Sequence, residues 1–120
     1  MKIAVSAGGP DLSAQVDPRF GRAPYFLLVD SETMEFEVVT NQQNLRRAQG
    51  AGIQAAAQVA RHRPAVVITG NCGPKAFQTL QAAGIQVIVG VAGPVQEVVQ
   101  NYRSGNLKPA PGPNVVSHWG

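Results

Sequence analysis

The sequence has one cysteine, no long hydrophobic run and little charge of either sign. A single cysteine, Cys72, cannot form an internal disulfide, which agrees with a reducing compartment. Every apolar run is far shorter than the roughly 20 residues that a membrane-spanning helix needs. The first run is interrupted at Gly8, before the apolar core of a signal peptide is complete. We therefore expect a cytoplasmic protein without a membrane partner.

Aromatic residues are also scarce. The chain has four phenylalanines, two tyrosines and one tryptophan, and basic residues are not interleaved with them. Together with a net charge of only +3, this gives no nucleic-acid surface, so no nucleic-acid partner is expected. Hydrophobic residues make up 44% of the 120 residues, which is the composition of one ordinary globular domain.

Side chains that bind metal ions are few. An iron-sulfur cluster held by protein takes four thiolates, or histidines in place of some, whereas the chain offers only Cys72, His62 and His118. No zinc-site spacing is present either. A metal site built from the chain's own ligands is therefore not expected. A preassembled anionic cluster with its own sulfide ligands needs only arginine, lysine, backbone N–H groups and at most one thiolate.

Five short segments have the pattern of strands. Four are apolar runs bounded by Gly, Pro or Asp, as in buried strands, and they cover residues 2–7, 25–30, 65–69 and 86–91. The fifth, residues 34–40, alternates apolar and acidic residues and follows the second run after a short connection. This pattern predicts a hairpin that ends in a charged edge strand.

Three segments have the apolar spacing of helices, and they lie within residues 53–60, 76–83 and 95–102. With right-handed crossovers between parallel strands, the sequence predicts a single α/β domain over residues 1–108. Its five-stranded mixed sheet has the order 3-2-1-4-5, with strand 2 antiparallel and three flanking helices. Residues 109–120 are rich in proline, which predicts an extended and mobile tail.

Four loops then lie at the carboxyl edge of the parallel strands, where open α/β sheets bind ligands. They cover residues 8–24, 41–52, 70–74 and 90–94. Basic residues outnumber acidic ones in this region, with Arg19, Arg22, Arg46, Arg47 and Lys75 against Asp11 and Asp17. The sequence therefore predicts an electropositive site for an anion.

The loop "TGNCGPKA" at residues 69–76 joins a strand to a helix. Gly70 and Gly73 allow a tight turn, and free N–H groups at the helix start near Pro74 favour an anion. Lys75 lies in the first helical turn, where a cation is better explained with an anion nearby. At this position the pKa of the Cys72 thiol is expected to be lowered. The alternative is that Cys72 fills a gap in packing.

Three blocks resemble the dinitrogenase iron-molybdenum cofactor biosynthesis family. They are "VDPRFGRAPYFLLVD" at 16–30, "TGNCGPKAFQTLQAAGIQV" at 69–87 and "VQEVVQNYRSGNLK" at 95–108, and the resemblance covers about residues 1–108. The family implies a ribonuclease H-like fold and non-catalytic binding, carriage or storage of an anionic metal-sulfide cluster. One small stand-alone member holds a molybdenum-copper sulfide cluster noncovalently, so that cluster is the expected cofactor. An iron-molybdenum-sulfur cluster or its precursor is the alternative.

The resemblance also implies site residues at the basic carboxyl edge. The first family motif falls on Arg19, Phe20, Gly21 and Arg22, and the second on Gly70, Asn71, Cys72, Gly73 and Pro74. Lys75 completes the expected cofactor-binding set, and Cys72 is the one candidate metal ligand. Phe20 shields a face of the cluster or is an ordinary core residue. Cluster-donor or recipient proteins are the expected partners of a monomer or weak homodimer.

Two other functions are compared with cluster binding. A ribonuclease H-like nuclease needs converging carboxylates for two metal ions, but the first strand has none and Asp30 falls at the opposite edge, so this activity is rejected. A thiol-dependent enzyme or anion-binding module would use Cys72 at the helix start. A phosphatase-like cradle usually has an arginine about six residues after the cysteine, where this chain has Gln78.

Overall fold

The computed structural model describes residues 1–45 and 50–115. Its strands are β1 (Lys2–Ala7), β2 (Tyr25–Asp30), β3 (Phe36–Thr40), β4 (Val66–Ile68) and β5 (Gln86–Ile88). Its α-helices are α1 (Ala51–Arg61), α2 (Pro74–Ala82) and α3 (Val95–Arg103). No helix in these two described stretches is long and apolar enough to span a membrane.

The five strands form one mixed sheet in the order β3-β2-β1-β4-β5. The strand β2 is antiparallel to both β1 and β3, whereas β1, β4 and β5 run parallel. The predicted α/β class, sheet order and three flanking helices are therefore confirmed. The ribonuclease H-like assignment stays a prediction.

The start of β3 and the end of β5 differ from the predicted bounds because of local backbone turns, and β4 is one residue shorter than predicted at each end. β3 begins at Phe36 rather than at residue 34, since Met34 has a φ of 64° and its N–H donates to Asp30 O at 2.8 Å. β5 ends at Ile88 rather than at residue 91, since Gly90 has a φ of 76°. Left-handed backbone breaks the extended run that apolar composition alone suggests.

The sheet separates two apolar cores. Ala4 of β1 faces α1 and α2, whereas Ile3 and Val5 face α3, because successive strand side chains point to opposite faces. The core on the α1 and α2 side also contains Phe20 and Cys72, which come from two loops. Those loops are therefore anchored in the core next to the carboxyl edge of β1 and β4.

The C-terminal segment makes contacts with the domain. Ala110 N donates to Val87 O at 2.7 Å, and Ala110 packs against the core of α1 and α2. Leu107 packs against the core on the α3 side, and Asn114 hydrogen-bonds to Cys72. The tail predicted for residues 109–120 therefore contacts the domain at Ala110 and Asn114, and its mobility stays a prediction. His118 lies outside the described residues.

Candidate functional site

The loops after β1 and β4 meet at the carboxyl edge, as the topology predicts. Phe20 N donates to Asn71 O at 3.1 Å, and Asn71 Nδ2 donates to Pro18 O at 2.8 Å. Arg19 and Asn71 form an isolated parallel bridge. The two family motifs therefore lie side by side, joined through Asn71.

Gly70 is needed for this close approach. A Cβ placed on Gly70 would lie 2.7 Å from Pro18 Cα and 2.9 Å from Pro18 O. Both distances are shorter than van der Waals contact and involve backbone atoms, which cannot rotate away. The glycine therefore permits the contact between the loops, in addition to allowing a turn.

Two buried hydroxyls hold the strand ends beneath the loops. Ser6 Oγ lies 2.7 Å from Thr69 Oγ1 and 2.8 Å from Asp17 O, and both hydroxyl-bearing residues are fully buried. Asp17 N in turn donates to Ser6 O at 2.8 Å. The sequence reasoning missed this pair. Its only signal was a hydroxyl residue near the end of each of two adjacent parallel strands.

Arg19 and Arg22 have different surroundings. Arg19 is exposed, and its backbone N–H donates to Asp17 Oδ1 at 2.9 Å. Arg22 is partly buried, and its Nη1 donates to Leu45 O at 3.2 Å and to Asn44 O at 3.4 Å. Arg22 thus ties the first motif to the loop after β3, whereas the guanidinium of Arg19 faces solvent. Two further predicted cations, Arg46 and Arg47, lie outside the described residues.

Phe20 and Gly21 lie beneath the surface of the site. Both are buried in a short 3-10 helix (Phe20–Arg22), and Phe20 is completely inaccessible to solvent. Its ring centroid lies 5.0 Å from that of Phe26 in a tilted arrangement. In this conformation Phe20 cannot shield a bound cluster. It is a core residue, which is the alternative given by the sequence.

Cys72 points into the core of α1 and α2 and has no exposed surface. Burial raises the pKa of its thiol to about 12, because the thiolate would lose its hydration. The predicted lowering of this pKa is therefore wrong. Desolvation by the surrounding core therefore dominates the ionisation of this thiol.

Ligation of a metal by Cys72 stays a prediction. A thiol must ionise before it binds a metal, and here the sulfur is buried, 3.8 Å from Gly73 O. In addition, no group of three or more His, Cys, Asp or Glu side chains within residues 1–45 and 50–115 has the arrangement of a metal site. The site does not offer a set of protein ligands around a metal ion.

Backbone donors and a cation are available at the start of α2. Gly73 is the N-cap residue and no side chain caps the helix; Pro74 follows and has no N–H. Helix geometry leaves the N–H groups of Lys75 and Ala76 without intrahelical acceptors, and the Lys75 side chain is exposed. The positive end of the helix and the Lys75 ammonium favour an anion at this position.

Asn114 also reaches this loop, although the sequence reasoning assigned it no role. Its Oδ1 accepts a hydrogen bond from Cys72 N at 2.8 Å, and its Nδ2 donates to Gly70 O at 3.1 Å. No local sequence pattern indicated these contacts, since Asn114 lies 42 residues after Cys72. The loop after β4 is therefore covered on one side by the C-terminal segment.

Residues 1–105 match the family model described as dinitrogenase iron-molybdenum cofactor. Among solved structures, the apo form of the orange protein from Desulfovibrio gigas is 47% identical. The match covers 95% of this chain and 96% of that chain, with a TM-score of 0.92. The resemblance inferred from the sequence blocks is thereby confirmed.

Two further proteins are similar along most of the chain. A Thermotoga protein of the DUF35 family is 35% identical, with a TM-score of 0.77 and coverage of 90% of this chain and 91% of that chain. An uncharacterized protein of Methanocaldococcus jannaschii is 29% identical over 110 residues, which is 90% of each chain. The similarity therefore extends over the whole domain and is not confined to the two loop motifs.

Proposed function

Because the chain belongs to the dinitrogenase iron-molybdenum cofactor family, we propose that it binds, carries or stores an anionic metal-sulfide cluster. The observation that carries this proposal is the family match over residues 1–105. The 47% identity to the orange protein, whose solved form is described as apo, supports a bound group in this branch of the family. We propose a non-catalytic role.

The residues at the carboxyl edge favour a cluster that brings its own sulfide ligands. The described residues offer no set of protein ligands around a metal, but Arg19 and Lys75 are exposed cations next to the loops. The N–H groups of Lys75 and Ala76 add hydrogen-bond donors at a helix start. Sulfide ligands accept hydrogen bonds and carry negative charge, so these groups can hold a cluster without a metal–protein bond.

We propose molybdenum with copper as the metals of the cluster, and molybdenum with iron as the alternative composition. A carrier must receive its cluster from one protein and deliver it to another, so cluster-donor and recipient proteins are the proposed partners. We place this exchange in the cytoplasm and propose that the carrier is a monomer or weak homodimer. These assignments extend the family resemblance and are open to direct measurement.

The buried thiol weighs against the alternative of a thiol-dependent enzyme. A nucleophilic cysteine needs an exposed thiolate, whereas Cys72 is buried and its thiol pKa is raised to about 12. A general anion-binding module would use the same cations and N–H groups as a cluster carrier. Competition between inorganic sulfate and the metal-sulfide anion distinguishes the two functions, since a general module would bind both.

The first test is reconstitution under anaerobic conditions. Tetrathiomolybdate is added with copper or with iron, and the protein is separated from small molecules before absorption spectra and elemental analysis. The expected result is retained sulfide-to-metal charge-transfer absorption with stoichiometric metal. A protein that stays colourless and metal-free with both mixtures would refute the proposal.

The position of the site is tested with charge-reversal variants. Arg19→Glu and Lys75→Glu should each weaken cluster retention about tenfold, because a cation next to a multiply charged anion becomes an acid. Arg61→Glu is the matched control, since Arg61 is exposed at the C-terminal end of α1, at the opposite edge of the sheet. Equal retention by all three variants would move the site away from this edge.

A further inference from the structure

The side-chain carboxamide of Asn114 forms hydrogen bonds with the loop after β4 through both its oxygen and its nitrogen. Its Oδ1 accepts from Cys72 N at 2.8 Å. Its Nδ2 lies 3.1 Å from both Gly70 O and Asn71 Oδ1, and its backbone N donates to Cys72 O at 3.2 Å. Both ends of the side chain and the backbone N–H are therefore bonded to three consecutive loop residues.

The contact occupies a backbone donor that lies next to those of the proposed cluster site. Cys72 N–H lies directly before the N-cap residue Gly73 of α2. It adjoins the N–H groups of Lys75 and Ala76, which helix geometry leaves without intrahelical partners. A cluster sulfide and Asn114 Oδ1 cannot both take the same N–H, so the side chain stands where an acceptor atom of the cluster would bind.

The segment that delivers Asn114 is anchored close by at Ala110. Ala110 N donates to Val87 O at 2.7 Å, and Ala110 packs against the core of α1 and α2. Between the two anchors, Pro111 and Pro113 restrict the backbone. Asn114 itself is exposed, so its release uncovers no apolar core.

We propose that residues 110–114 form a tail latch, in which Asn114 is an internal competitor of the cluster. Asn114 holds the Cys72 N–H, and the incoming metal-sulfide anion takes this donor when Asn114 leaves. This inference rests on the proposed function. It predicts that the latch lowers the apparent affinity for the cluster, because only the open fraction of the protein is competent to bind.

The test compares Asn114→Ala with Asn106→Ala in the full chain. Asn106 is the matched control because it is exposed in the same C-terminal segment, and its backbone N–H donates to Asn101 O. Each protein is titrated anaerobically with a preformed copper-tetrathiomolybdate cluster, and binding is followed by charge-transfer absorbance. The latch predicts at least about fivefold tighter binding by Asn114→Ala and wild-type binding by the control.

A measurement on the wild-type chain does not depend on the folding of a variant. In ¹⁵N-resolved nuclear magnetic resonance spectra, cluster addition should shift the Asn114 side-chain NH₂ signals to positions typical of solvent-exposed carboxamide. The Cys72 amide should shift in the same titration, since its acceptor changes.

The outcomes separate the latch from the carrier function. If all three proteins bind the cluster equally, if Asn114→Ala binds more weakly, or if the Asn114 signals stay unchanged in the loaded protein, the latch is overturned and the carrier function stands. If none of the three proteins binds the cluster, the carrier proposal is overturned, and the latch with it.

Discussion

Replacing Gly70 with alanine tests whether the loops after β1 and β4 must lie against each other. The new Cβ would lie 2.7 Å from Pro18 Cα and 2.9 Å from Pro18 O. Pro18 cannot simply move aside, because Asn71 Nδ2 donates to Pro18 O at 2.8 Å and Phe20 N donates to Asn71 O at 3.1 Å. Relief of the overlap requires the loops to separate.

The expected loss of folding stability has two parts. Overpacking against a fixed neighbour costs about 1 to 3 kcal/mol, and weakening one inter-loop hydrogen bond costs about 1 kcal/mol more. Gly70→Ala should therefore lower the free energy of unfolding by about 2 to 4 kcal/mol. This is a large part of the stability of a domain of this size, which is typically about 5 to 15 kcal/mol.

Urea unfolding followed by far-ultraviolet circular dichroism measures this loss. Gly8→Ala is the matched control, because a Cβ at Gly8 would meet its nearest neighbour, Gln15 O, at an ordinary contact distance of 3.8 Å. The control should stay within about 0.5 kcal/mol of the wild type. If Gly70→Ala unfolds at the same urea concentration as Gly8→Ala, the loops are free to separate and the inferred close approach is wrong.

Two further predictions concern the buried residues of the site. Since the pKa of the Cys72 thiol is raised from 9.0 to about 12 by burial, the unfolded chain loses this proton first. The contribution of the thiol to the free energy of unfolding is therefore complete below pH 9 and is lost as the pH rises towards 12. The Cys72→Ala variant should lack this alkaline loss. Identical pH profiles of the two proteins would contradict the raised pKa. Phe20→Leu should lower the free energy of unfolding, measured in urea, by about 1 to 2 kcal/mol, because the ring contact with Phe26 is lost. Unchanged stability with weaker cluster retention would instead indicate that Phe20 shields the cluster.

The sheet order could be predicted because two general rules leave few possible arrangements of the strands. Apolar runs such as residues 65–69 need burial on both faces, and right-handed crossovers leave little choice for their order. The same rules bring the loops that contain Arg19 and Asn71 to one edge. Boundaries were less predictable, since the left-handed backbone at Met34 and Gly90 has no counterpart in the apolar pattern.

The surroundings of individual side chains could not be predicted in the same way. Sequence spacing placed Cys72 near a helix start, but burial of its side chain in the core raises the pKa of the thiol instead of lowering it. Arg22 counted as a site cation, yet its guanidinium bonds to the carbonyls of Asn44 and Leu45. The proline-rich composition indicated a free tail, and nothing local showed that Asn114 has partners 42 residues away.

The buried contact between Ser6 and Thr69 has a consequence for how this domain diverges. The two hydroxyls lie 2.7 Å apart and both residues are inaccessible to solvent. Loss of the Ser6 hydroxyl removes this partner of Thr69 Oγ1, whereas after loss of the Thr69 hydroxyl Ser6 Oγ still has Asp17 O at 2.8 Å. An unsatisfied buried hydroxyl is costly, whereas replacing both partners with apolar residues of similar shape is nearly neutral. Replacement of Ser6 by an apolar residue should therefore be accompanied by replacement of Thr69 among relatives that keep these two loops together, more often than the reverse.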